Sequence, residues 1–126
     1  MRVHMREAIF TRDLTNFLKM NPHYVINWKD EKVVGEPAFD GGKTPKWNKV
    51  HEFEVGSDLQ SAGTMTFTFL EEEDLICSIE ISVRKFAEKR GVPHWYECRY
   101  EGEDSGQCSI MIDYEMKDDA KEEVEA

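Results

Sequence analysis

Cysteine is scarce and poorly placed for cross-linking: Cys77, Cys98 and Cys108 form an odd set with no short paired spacing. That excludes a disulfide framework, and a chain of this length needs none to hold a core, so the thiols are read as reduced and mostly buried. Long apolar runs are missing too. No stretch approaches the ~18 residues of a membrane-spanning helix. The opening MRVHMREAIF places two Arg, a His and a Glu within seven residues, where a secretion signal has an apolar centre. Positive charge is in short supply, with 16 Lys and Arg against 26 Asp and Glu and a net charge of −10. Nucleic acid and anionic membrane repel such a field, so neither is an expected default partner. The expectation is a soluble, cytoplasmic protein.

What is present argues for a folded chain. A hydrophobic content of 40% with 11% aromatics is too rich for a disordered acidic polypeptide. Its 126 residues bury about two-thirds of their surface on folding, enough for one core and too little for two. Apolar residues alternate rather than recur at 3.6, most clearly over 64–70, where Met65, Phe67 and Phe69 share one face and Thr64, Thr66 and Thr68 the other. Similar patterning predicts strands at 2–9, 23–28, 32–38, 51–55, 75–83, 94–100 and 107–114. Turn-forming residues fall between them: Asn21-Pro22, Asp40-Gly41-Gly42, Gly56-Ser57, Gly91-Val92-Pro93 and 103–106. Eight short strands without a long helix predict an all-β fold, an eight-stranded antiparallel β-sandwich. Trp47, Phe53, Val55, Met65, Phe67, Phe69, Ile79 and Ile81 are expected in its two-sheet core. Residues 84–90 suit a short helical turn. The domain is expected over 1–116, followed by an acidic tail at 117–126.

Catalytic machinery does not assemble from these residues. The four His lie on predicted strands, with no Gly-x-Ser-x-Gly elbow, no His-Glu-x-x-His pair and no phosphate-binding glycine loop. A zinc site from His94, Cys98 and Cys108 fails on spacing. Alternation puts His94 and Cys98 on one strand face about 13 Å apart, too far to share an ion. The chain is therefore expected not to be an enzyme and to carry no cofactor.

Element order and two motifs are more specific. Strand one is followed by Thr11-Arg12-Asp13-Leu14, a loop, and Lys19-Met20-Asn21-Pro22-His23-Tyr24-Val25-Ile26; further on comes Lys43-Thr44-Pro45-Lys46-Trp47-Asn48-Lys49-Val50-His51-Glu52-Phe53-Glu54-Val55. Together these resemble the C2 domain, with its Asp-Pro-Tyr-Val-like second strand and its Asn-Pro-x-Trp-Asn turn entering the fourth. The likeness extends through 65–83, Trp95-Tyr96 and 105–114, nearly the whole chain.

The resemblance implies two places to look for function. C2 domains commonly bind calcium between apical loops through several carboxylates. The matching positions here are Asn16 and Asn21 in loop one, both neutral, and Glu71, Glu73 and Asp74 in loop three. That set is expected to bind calcium weakly or to be a solvated acidic turn. Phe17, Leu18 and Trp28 suit either a lipid interface or a protein interface. Arg84, Lys85, Lys89 and Arg90, with only Glu88 among them, form a basic cluster suited to an acidic partner. The leading expectation is a non-catalytic, calcium-independent protein-interaction or scaffold subunit within a larger assembly, with cytoskeletal, ciliary or trafficking complexes as hosts by resemblance. The alternative is a calcium-dependent module that binds phospholipid membranes.

Overall fold

The computed structural model describes residues 1–15, 18–56 and 58–113. Eight strands follow in order: β1 (Arg2–Phe10), β2 (Pro22–Trp28), β3 (Glu31–Val34), β4 (Lys46–Glu52), β5 (Thr64–Glu71), β6 (Asp74–Ser82), β7 (His94–Tyr100) and β8 (Glu103–Asp113). A helical turn, α1 (Val83–Glu88), links β6 to β7. All pairings are antiparallel and run β3-β2-β5-β6-β7-β8-β1-β4. Strands β6 and β7 are paired only at Ser78 and Arg99. The assembly therefore divides into two four-stranded layers, β3-β2-β5-β6 and β7-β8-β1-β4, joined at that seam and packed face to face as a β-sandwich.

Alternation generates the core. Met65, Phe67 and Phe69 of β5 and Tyr24 and Ile26 of β2 are buried from one layer; Val3 and Met5 of β1 and Ile110 and Ile112 of β8 from the other. Aromatic rings tie the layers together. Trp47 stacks on Phe69 at 5.7 Å and meets the edge of Tyr24 at 5.1 Å, while Phe10 lies 5.5 Å from Phe69. Helix α1 is capped by Ser82, whose hydroxyl accepts the Lys85 N–H at 3.0 Å. Its Val83, Phe86 and Ala87 close one end of the core. Of the eight predicted core residues, Val55 and Ile79 are only partly buried.

Three strands differ from expectation by more than one residue at an end. Strand β4 spans Lys46–Glu52 instead of 51–55. As an outer strand of its layer it buries only Trp47, so alternation does not mark it; pairing with β1 defines it, from Arg2 against Glu52 to Glu7 against Lys46. Strand β3 ends at Val34, not residue 38. Beyond it the chain keeps two single hydrogen bonds to β2, from Gly35 N to Tyr24 O at 2.8 Å and from Ala38 N to Pro22 O at 2.8 Å. Between them Pro37 has no N–H to offer a ladder. The turn expected at 103–106 is strand, and the reversal lies at Glu101-Gly102, which take positive φ of 53° and 83°. Residues 114–126, with the expected boundary at 116 and the acidic tail, lie outside the described residues.

Candidate functional site

The connections β1–β2, β3–β4, β5–β6 and β7–β8 all emerge at one end of the sandwich, the end where the resemblance expects a metal. Asn21 and Glu71 do come together there, but each already serves the backbone. The Glu71 Oε1 accepts the Asn21 N–H at 2.7 Å, and the Asn21 Oδ1 accepts the Asp40 N–H at 2.7 Å. Gly42 N donates to Met20 O at 2.9 Å, so the first two connections are laced to each other. The third is a two-residue hairpin turn: β5 ends at Glu71, β6 begins at Asp74, and Glu72 takes a φ of 56°.

Glu73, in this turn, and Asp74, at the start of β6, are exposed. Calcium needs six to eight oxygens converging at 2.3–2.6 Å, for which a two-residue turn has no reach. No cluster of three or more His, Cys, Asp or Glu suited to a metal exists among the described residues. Among the described residues, Glu71, Glu73 and Asp74 form no such cluster. Asn16 and Phe17 lie outside the described residues.

Other side chains organise this end. Arg12 donates from Nε to Ile76 O at 2.9 Å and from Nη2 to Leu75 O at 3.2 Å, with its guanidinium carbon 3.5 Å from the centre of the Tyr100 ring. It thus links β6 of one layer to β7 of the other. Asp13 accepts the N–H and hydroxyl of Thr15, and these bonds hold its carboxyl below the usual range. At the tips, Leu18 and Phe39 are 79% and 85% exposed. Leu18 is among the residues expected to make contacts. Phe39 is an addition, although an aromatic within Pro37-Ala38-Phe39-Asp40-Gly41, among turn-formers that offer it no core, carries a readable signal.

The remaining expected contacts lie elsewhere. Trp28 requires correction as a surface contact: it is buried, its indole donating to Ala62 O at 2.6 Å and lying edge-on to Phe53. As the last inward residue of β2, it follows the strand's alternation into the core. Arg84, Lys85, Lys89 and Arg90 are exposed around α1, at the opposite end from the apical turns. The Arg90 Nη1 donates to Ala87 O at 2.7 Å, and the Lys89 ammonium lies 5.8 Å from the Tyr96 ring centre. The basic cluster and the apical tips therefore cannot form one site.

Two buried polar groupings go beyond the sequence expectations. All three thiols are free and buried, with Sγ of Cys98 3.6 Å from Sγ of Cys108. Hydrogen bonds from Cys108 and Cys77 draw the Cys98 thiol down, while bonding to Cys98 raises the other two. Sequence spacing carries no hint that Cys77, from the other layer, joins the pair. In the second grouping, Tyr24 Oη lies 2.6 Å from His51 Nε2. Burial, with Glu36 nearby, pushes the phenol up to about 12, and burial, with Lys49 nearby, lowers the imidazole. A protonated phenol can donate to the neutral ring, an arrangement that protonation of the imidazole would break.

That pairing sets an acid-side dependence. A His with a folded pKa below its unfolded value contributes stability that is intact above about pH 6.5 and is lost as pH falls through the folded pKa. His51→Gln is therefore expected to flatten the decline in unfolding free energy between pH 7 and pH 5. Urea titrations at several pH values give both slopes, and parallel slopes for the two proteins would contradict the assignment.

No family model matches the sequence, and no curated protein matches it. Solved structures do. A C2 domain-containing protein superposes with a TM-score of 0.70 at 20% identity, over 86% of this chain and 82% of that one. C2 domain A of plant extended synaptotagmin 1 gives 0.72 at 15% identity, over 86% and 88%. A structure of C2 domains A and B of extended synaptotagmin 2 gives 0.66 at 18% identity, over 86% of this chain and 38% of that one. Eight antiparallel strands in two layers, together with these superpositions, give this chain the C2 fold.

Proposed function

We propose that the chain is a non-catalytic, calcium-independent protein-interaction module that occupies a place in a larger assembly. The observation that carries this reading is the two-residue turn between β5 and β6, together with the engagement of Asn21 and Glu71 by backbone N–H groups. A calcium-bound form of C2 domains A and B of extended synaptotagmin 2 is among the similar structures. Here the oxygens at the corresponding end hold the connections together instead. The three thiols are buried, so the reading rests on the surfaces that the sandwich offers.

One observation favours a membrane-binding reading: Leu18 and Phe39 project at one end with exposed Lys19 and Lys43 on the same connections. Two measurements separate the readings. Thermal stability is expected to move by less than about 1 °C between chelator and 100 µM calcium, since stabilisation follows RT ln(1 + [L]/Kd). A rise of several degrees at about 10 µM calcium would overturn calcium independence. Sedimentation with phosphatidylserine vesicles is expected to leave the protein in the supernatant, and pelleting abolished by Leu18→Asp/Phe39→Asp would favour the membrane reading instead.

A further inference from the structure

The seam between the two layers is open where it could have been closed. Strands β6 and β7 run antiparallel and pair at Ser78 and Arg99 alone. Continuing that register would set Glu80 against Glu97 and Ser82 against Trp95. Glu80 and Glu97 are exposed, and neither has a salt-bridge partner among the described residues. Like charges directly opposite each other in an antiparallel ladder are destabilising. The pairing stops two residues short of them. Between the strands lies a groove of about 590 Å³ lined by Ile79, Glu80, Trp95, Tyr96, Glu97 and Arg99, among others.

We propose that this groove receives an extended basic peptide segment of a partner protein, added as a strand along the free edge of β7. Three features define the occupant. From His94 to Cys98, the side of β7 away from β8 has no strand paired to it among the described residues, so a peptide backbone has a ladder to join. Glu80 and Glu97 are the uncompensated charges of the groove, because Arg99 is already committed to Asp104 at 3.4 Å and to Gly102 O at 3.0 Å. A Lys or Arg between the two carboxylates would give both an opposite charge. Trp95, 45% exposed, points outward two residues before Glu97, so the occupant's basic residue is followed or preceded at a spacing of two by an apolar one. An acidic or apolar strand would leave both carboxylates unpaired. This inference rests on the protein-interaction reading and gives its partner a chemistry and a place.

The probe is an acetylated, amidated Thr-Lys-Thr-Val-Thr-Lys-Thr-Val peptide, which sets Lys and Val two apart on one face, with its Lys-to-Glu counterpart and an alternately N-methylated basic peptide as comparisons. Trp28 and Trp47 are buried, so quenching and spectral shift report chiefly on Trp95. The basic peptide is expected to shift the emission to the blue and to bind at least about tenfold more weakly to the Glu80→Lys/Glu97→Lys protein. N-methylation is expected to weaken it comparably, because the ladder bonds are lost. The acidic peptide is expected to bind the charge-reversed protein and not the original.

Glu72→Lys/Glu73→Lys, at the far turn, is expected to change affinity less than twofold, which separates groove recognition from attraction to a chain of net charge −10. Failure of the basic peptide to bind, equal binding after N-methylation, or equal binding to the groove-reversed protein would overturn the proposal. Loss of binding on apical reversal alone would also overturn it while leaving the interaction reading standing at another surface. Failure of that reading is registered separately, by the calcium and vesicle measurements.

Discussion

Phe67→Ala is expected to lower the unfolding free energy by about 3–5 kcal/mol and the Tm by more than about 10 °C. Phe67 has no exposed surface. It sits at the middle of β5, with β2 on one side and β6 on the other, and meets the Phe86 ring edge-on at 5.6 Å. Removing the ring takes away apolar area and the contact that holds α1 down over the end of the sandwich. Phe67→Leu keeps most of the volume and should cost well under half as much. Urea denaturation of the two variants measures the difference. A loss for Phe67→Ala near 1 kcal/mol, typical of a surface position, would mean that β5 presents its other face to the core.

Gly35→Ala is expected to cost about 3 kcal/mol despite adding a single methyl group. A Cβ at this position would lie 2.3 Å from Cζ of Tyr24, with two further ring carbons within 2.7 Å. The ring cannot give way, because it is buried, wedged against Trp47 and held through its hydroxyl to His51. Its displacement would disturb the core and that hydrogen bond together. Gly91→Ala is the comparison: its Cβ would meet open space, and its φ of 85° costs only about 1 kcal/mol. If Gly35→Ala proves no worse than Gly91→Ala, the approach of the backbone to Tyr24 is not rigid. In a Tyr24→Leu background the Gly35→Ala penalty should shrink, which a double-mutant cycle would register.

The strands that can be read from the sequence are those with one buried and one solvated face. Residues 64–71 announce themselves because every second side chain is apolar, and β1 and β7 are close behind. Strand β4 is obscured because its burial has no period of two, and the alternation His51-Glu52-Phe53-Glu54-Val55 lies mostly past its end. Phe53 is buried there after the ladder with β1 has finished, held by a bond from its N–H to Met1 O. At Glu103-Asp104-Ser105-Gly106 turn-forming residues stand within a strand, and local propensity yields to pairing with β7.

At the apical end the residue types are legible and their engagements are not. The charges of Glu71, Glu73 and Asp74 stand in the sequence, but the length of the turn between β5 and β6 depends on a register shift between Phe69 and Leu70. That Glu71 is bound by the Asn21 N–H, fifty residues away, follows only from the fold. Trp28 illustrates the converse error, since an aromatic at a strand end reads as surface until a carbonyl for its indole is found at Ala62. The open seam has no local signature at all, because it depends on how β6 and β7, separated by a helical connection, pair with each other.

Arg12 gives that seam a direction of opening. Its guanidinium bonds two carbonyls of β6 while covering Tyr100 of β7, near the end of the seam where Ser78 meets Arg99. The two layers are therefore pinned at one end and unlaced toward α1, like covers held at the top of a spine. Opening of such a sandwich is expected to hinge near Arg12 and to be largest toward Ser82 and His94. Amide hydrogens along this margin are therefore expected to exchange faster than those beside the Trp47 and Phe69 contact, which hydrogen-exchange rates would register.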